Sequence, residues 1–280
     1  MKKTLLYFLL VSSFSQAQLL YQITGNGLAQ ASFLYGTIHM LPKEQFELSN
    51  SLKRAFDASA TIAMEVDLNM SGAEKIAIAQ KVLLPEGKTL KDYMAEQDYL
   101  QLKMYCMDSL QWNESKFERS SKLKPMFFSS VLMQESMSKM ASYEMEFNKM
   151  AKKKNKKTIG LETIDFQLGL FDQLPMQTQV DMLKKDYNSD LKMFDTLLAC
   201  YLQEDLEKLN VLMNAETAAY PEFNALLLIN RNKSWIAPMG TQMRKESTFF
   251  AVGAGHLGGP EGVVSLLRSA GYTVTAIKQN

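Results

Sequence analysis

Apolar and polar positions alternate over residues 19–23 and 32–38, which predicts two strands, and the Gly25-Asn26-Gly27 cluster between them predicts a hairpin turn. Over residues 49–59 the spacing becomes helical: Leu52, Ala55 and Phe56 share a face, and Ser49 is placed to cap the start. Residues 61–66 form a short, mostly apolar run of the kind that is buried on both faces of a sheet. Strand, helix and strand in so short a span is the pattern of a βαβ unit. Residues 73–151 read as mostly helical and rich in methionine, with Met133, Met137, Met140, Phe147 and Met150 forming a stripe along one long helix. A packed core face is the plain account of that stripe. The functional account is a pliant surface for an extended peptide or apolar ligand. A short strand at 158–162 leads into a second helical region from 163 to about 230. A strand at 248–252, a turn at 258–260, a helix at 262–270 and a closing strand at 272–277 follow. Strands thus gather at both ends of the chain. The expected fold is α/β, a central sheet built from N- and C-terminal βαβ-like parts and flanked by helices, with a helical insert over about 73–151.

The first residues break this pattern. Met-Lys-Lys precedes a short apolar stretch from Thr4 to Val11, then polar residues and Ala17, which predicts a secretory leader over 1–17 cleaved after Ser15-Gln16-Ala17. The apolar run is too short for a spanning helix. The expectation is an exported protein, periplasmic or secreted, with residues 18–280 as one domain and no stable membrane anchor. Loss of Lys2 and Lys3 takes the formal charge from +1 to −1, so no field marks nucleic acid as a partner. The run Lys152-Lys153-Lys154-Asn155-Lys156-Lys157 fits the C-terminal cap of a helix better than a nucleic-acid patch. Cys106 and Cys200, the only cysteines, could pair outside the cytoplasm or lie buried separately.

Candidate chemistry lies at strand ends. Gly36-Thr37-Ile38-His39 and Gly253-Ala254-Gly255-His256 each follow a strand, and together they use both histidines of the chain. Ligands of open α/β sheets bind beyond the carboxyl ends of the strands, so both histidines are expected in one site. Gly36 and Gly253 allow a sharp turn or close approach to a substrate. Glu65 and Glu162 end apolar strands, where a carboxylate is costly unless paired or bound to a metal. Imidazole with carboxylate suits zinc, manganese, cobalt or iron, and the lack of thiolate ligands argues against a structural zinc. Two histidines and one glutamate leave room for an activated water while the second carboxylate shuttles protons. Which of Glu65 and Glu162 does which stays open; the first assignment is His39, Glu65 and His256 as ligands and Glu162 as general base. Arg231 is either the cation for an oxyanion or a cap of the preceding helix. No Gly-x-Ser-x-Gly elbow or Gly-x-x-x-x-Gly-Lys loop is present.

Tyr35-Gly36-Thr37-Ile38-His39-Met40-Leu41-Pro42, Gly160-Leu161-Glu162-Thr163 with Gln167, Arg231-Asn232 with Trp235, and Ala251 to Leu257 followed by Gly262 and Gly271-Tyr272 resemble the TraB/GumN family, which is related to the TIKI metalloproteases. The resemblance spans essentially all of the chain after the leader. It implies a secreted or membrane-tethered α/β protein with paired Gly-x-x-His motifs and a conserved glutamate. The TIKI members are divalent-metal-dependent proteases that clip peptide segments, and from that branch come the expected manganese, cobalt or zinc ion and the peptide or protein substrate. By position, His39 and His256 match the motif histidines, Glu65 and Glu162 the acidic positions and Arg231 the arginine. Asn232 beside it is a candidate for substrate contact. Ser142 and Glu144 stand where many relatives carry Gly and Asp, which leaves that acid without an assigned role. Two functions follow as expectations: a metal-dependent peptidase, or a non-catalytic binder of a metal, a haem-like cofactor or a secreted peptide.

Overall fold

The structure is a computed structural model that describes residues 18–136, 139–188, 192–218 and 220–280, so the expected leader lies outside the described residues. Its strands are β1 (Leu20–Gly25), β2 (Ser32–Thr37), β3 (Leu41–Pro42), β4 (Thr61–Met64), β5 (Met140–Ala141), β6 (Lys157–Gly160), β7 (Thr248–Gly253) and β8 (Tyr272–Ala276). Six of them form one mixed sheet in the order β6-β4-β7-β2-β1-β8, flanked by helices, as the pattern of strand-rich ends predicts. The hairpin of β1 and β2 turns through Gly25, Asn26 and Gly27, all at positive φ, and β1 also pairs antiparallel with β8. β2, β7, β4 and β6 run parallel to one another. Their register sets Tyr35, Ala251, Met64 and Gly160 level across the sheet, so everything that follows these residues leaves by one edge.

Alternation gives this sheet two apolar faces. Tyr35 and Phe249 stand on one of them, where they meet Phe56 of helix Asn50–Ala58 and Phe147 of helix Tyr143–Lys153. The ring centroids of Phe147 and Phe249 are 5.1 Å apart, and both side chains are fully buried. Burial of one such ring stabilises by roughly 1.5–3 kcal/mol, so this cluster clamps the two helices to the middle of the sheet. Ser49 caps the first helix, accepting from Leu52 N at 3.0 Å.

The expected long helix with its methionine stripe is two helices, Pro125–Ser136 and Tyr143–Lys153. The chain breaks because Lys139 takes a positive φ of 56°, β5 pairs antiparallel with β3, and Ser142 caps the next helix through Met145 N. Of the stripe, Phe147 is buried and Met133 is 46% exposed, while Met137 lies outside the described residues. A second core, around Leu90, Leu102, Phe117 and Phe128, draws Val180 and Leu183 from helix Met176–Asn188 as well as residues of the expected insert. Tyr143, Phe147 and Ala151 instead belong to the core of the sheet. The second helical region continues past residue 230, because helix Asn230–Lys245 runs through Pro238. Lys154 and Lys156 of the basic run close onto Asp57 and the Ser59 carbonyl at the end of helix Asn50–Ala58. Cys106 and Cys200 are free thiols buried in different cores, and burial pushes Cys106 up to about 12. Among the described residues no helix is long and apolar enough to cross a membrane.

Gly36 shows why the strand ends carry glycine. A Cβ there would lie 2.9 Å from Leu257 Cδ2 and 3.1 Å from the Ala254 Cα, so the short helix that ends at His256 can pack on β2 only if position 36 is bare. Gly36→Ala is expected to destabilise the fold by about 1–3 kcal/mol, the cost of overpacking against backbone. A urea midpoint equal to that of the wild type would contradict this packing account.

Candidate functional site

Four parallel strands deliver the site. Glu65 follows β4, Glu162 follows β6, His39 follows β2, and His256 ends the helical turn Ala254–His256 after β7. His39, Glu65 and His256 border one cavity of about 630 Å³, whose lining also includes Glu144 and Arg231. Glu162 stands just behind that lining.

Glu65 is 8% exposed and fully engaged. Its Oε1 accepts from Gly253 N at 2.8 Å, and its Oε2 accepts from Arg231 Nη2 at 2.5 Å and Gln167 Nε2 at 3.0 Å. Burial pushes this carboxyl up, but the charges of His256, His39 and Arg231 and the Gly253 N–H outweigh it and lower the group to about 2. Glu162 is held by the same arginine: Oε1 accepts from Arg231 Nε at 3.0 Å and Nη2 at 2.5 Å, and from Gln167 at 3.2 Å, while Oε2 accepts from Trp235 Nε1 at 3.1 Å. Arg231 also donates from Nη1 to the Leu227 carbonyl at 2.9 Å and toward His256 Nε2 at 3.3 Å. Its guanidinium lies 5.0 Å from the Trp235 ring centroid.

The two histidines present the same ring atom. His256 Nδ1 is 2.6 Å from Asn232 Oδ1, and the Asn232 amide is oriented by donation from Nδ2 to the Glu261 carbonyl at 2.9 Å. An amide oxygen only accepts, so Nδ1 carries the proton and Nε2 keeps its lone pair. Burial lowers His256 to about 4, which keeps it neutral. His39 Nδ1 is 3.3 Å from Glu144 Oε1, which also accepts from Thr37 Oγ1 at 2.6 Å; Ser142 Oγ donates to Glu144 Oε2 at 2.8 Å. The Glu144 hydrogen bond raises His39 to about 9, while 72% exposure of the ring lets solvent temper the gain. A Cβ on Gly253 would sit 3.3 Å from Glu65 Oε1, 3.5 Å from His256 Cδ2 and 3.8 Å from His39 Nε2. Both histidines and Glu65 therefore face one space that a bare glycine leaves open.

The donor types suit a divalent ion: two imidazoles with Nδ1 tied to oxygen, of which His39 must first give up the ring proton that Glu144 favours, and a buried carboxylate. Among the described residues, however, no three His, Cys, Asp or Glu side chains already stand close enough together to hold an ion. The cation on Glu65 and Glu162 is the Arg231 guanidinium. Of the glycines and amide named as substrate contacts, Gly253 borders the cavity, Gly36 packs beneath Ala254, and Asn232 is 3% exposed and positions His256. Glu144 carries the part that sequence reasoning left blank. Its only signal was its place behind the capping Ser142, and nothing in the sequence ties it to a histidine 105 residues away.

The two rings tie stability to pH in opposite senses. His39, raised above its unfolded value of 6.5, contributes stability that is complete below 6.5 and is lost as pH rises through about 9. His256, lowered below 6.5, contributes stability that is complete above 6.5 and is lost as pH falls through about 4. The urea midpoint is expected to peak near pH 6.5, with His39→Gln flattening the alkaline limb and His256→Gln the acid limb. Unchanged limbs in both variants would contradict the assignment.

A comparison with curated proteins and one with solved structures each give no match. The family model described as the TraB/PrgY/gumN family matches residues 19–276, which include both Gly-x-x-His turns, both buried glutamates and Arg231. The chain belongs to the TraB/PrgY/gumN family.

Proposed function

We propose that this protein is an exported, divalent-metal-dependent hydrolase that cleaves peptides or proteins. The observation that carries the reading is the convergence of His39 Nε2, Glu65 Oε1 and the His256 ring on the space over Gly253, with each histidine's Nδ1 held by an oxygen. These three residues would hold a manganese, cobalt or zinc ion. The chemistry such an ion supplies is a water activated near neutral pH and a polarised carbonyl. The chain's own residues do the rest. Asn232 and Glu144 fix which ring nitrogen faces inward. Arg231 adds to the charges that keep Glu65 ionised and is the guanidinium that borders the cavity, where a negative charge would develop.

The proposal moves one role expected from the sequence. Glu162 accepts from Arg231, Gln167 and Trp235 on both oxygens, and its side chain is 6% exposed, so we assign it to anchoring Arg231. Glu144 borders the cavity with its side chain 17% exposed, and its Oε2 accepts only from Ser142 among the hydrogen bonds described, so we assign proton transfer to that atom. Export follows from the leader read in residues 1–17. The link to peptide cleavage comes from the resemblance to TIKI metalloproteases.

A mixed peptide library incubated with the protein and manganese, cobalt or zinc is expected to yield products that a chelator abolishes. His39→Ala and His256→Ala should give none, and Glu144→Gln should lower kcat by ~10² to 10⁴, the usual loss with a general acid or base. Cleavage that survives both the chelator and His256→Ala would overturn the reading. Stoichiometric retention of metal, haem or peptide without products would favour the binding protein.

A further inference from the structure

Much of the cavity's lining is apolar. Beside the histidines and Arg231 it includes Phe171, Leu197, Leu209, Met213, Leu227 and Leu228, most of them supplied by helices Lys192–Leu202 and Leu206–Thr217 and the π-turn Ala225–Ile229. Of these six side chains only Leu209 is fully buried in the core; the others are partly exposed. The π-turn brings two consecutive leucines, 227 and 228, to the cavity and places the Leu227 carbonyl on Arg231 Nη1. Such turns are rare and recur at functional sites. Met213 packs against the histidine turn: its Cε and Sδ would lie 2.5 and 2.7 Å from a Cβ on Gly255, the residue before His256.

We infer that this wall is the specificity pocket of the site, and that the protein selects peptides carrying a large aliphatic or aromatic side chain next to the bond it cleaves. The inference rests on the hydrolase reading and adds the substrate class to it. These apolar side chains line the same cavity as His39, Glu65 and His256, so a group bound against them lies in the space those three residues border. Among the described residues that line the cavity, Arg231 is the one lysine or arginine, and its donors are engaged by Glu65, Glu162 and the Leu227 carbonyl. Against these six side chains a phosphate, an acidic side chain or a lysine would leave water without a charged partner. The volume of about 630 Å³ accommodates a bulky side chain together with its flanking backbone. Met213, unbranched and pliant, sets how large that side chain can be.

The test uses acetylated and amidated pentapeptides, Gly-Gly-Xaa-Gly-Gly, with Xaa as Leu, Phe, Gln, Lys or Glu. It measures kcat/KM with manganese and, separately, equilibrium binding to the metal-free protein by competition against a fluorescent Leu peptide. Leu and Phe are expected to exceed Gln, Lys and Glu by on the order of tenfold to a hundredfold in either readout. Leu228→Gln should bring those ratios toward one, and Met213→Ala should raise the response to a Trp peptide relative to Leu. Selective binding without cleavage would sustain this inference and sink the hydrolase reading. Cleavage indifferent to Xaa, or strongest for a charged residue, would overturn the inference and leave the hydrolase standing. Absence of peptide binding at any concentration tested would overturn it as well.

Discussion

A guanidinium buried between two carboxylates organises this molecule. Arg231 is 6% exposed, and it ties Glu65 after β4 to Glu162 after β6 while its remaining donors reach the π-turn carbonyl and His256. Each charge is tolerable only because the others are present. Loss of one partner from such a buried set costs about 3–5 kcal/mol, since the groups left behind remain desolvated. The same contacts fix the angle at which helix Asn230–Lys245 meets the sheet edge, and through Asn232 the orientation of His256. Stability and site geometry thus share one cluster.

The cluster has two consequences for chemistry. Glu65 is held ionised and aimed by the Gly253 N–H, so its Oε1 stands beside His256 at 3.7 Å from Nε2. Neutral His256 and exposed, Glu144-bound His39 differ in burial and charge although both close a Gly-x-x-His turn. The buried ring is a fixed half of the site, and the exposed ring stands at its open side. Helices Lys192–Leu202 and Leu206–Thr217 then add an apolar wall that the strand-end residues by themselves do not specify.

Much of this could be read from the sequence because it is local. Alternation over β1 and β2, the glycines of their hairpin and the apolar run of β4 each encode their own conformation. The convergence of His39, Glu65, Glu162 and His256 followed from parallel strands, which share one carboxyl edge. What escaped was set by distant partners. Helix Tyr143–Lys153 begins where it does because β5 pairs with β3, some 100 residues earlier, and periodicity saw only a continuous stripe. Glu162 is expected from the sequence as a general base, and its partners Arg231, Gln167 and Trp235 come from elements that periodicity does not join to it. Glu144 reached His39 through the same strand pairing that interrupts the stripe.

The proposed hydrolase depends on His39, Glu65 and His256 acting as one ion site. Crystals soaked in manganese, with data collected at the metal's absorption edge, test it most directly. The account predicts a single anomalous peak over Gly253, bonded to both Nε2 atoms and to Glu65. A peak elsewhere, or none at saturating manganese while Arg231 still bridges Glu65 and Glu162, would contradict it.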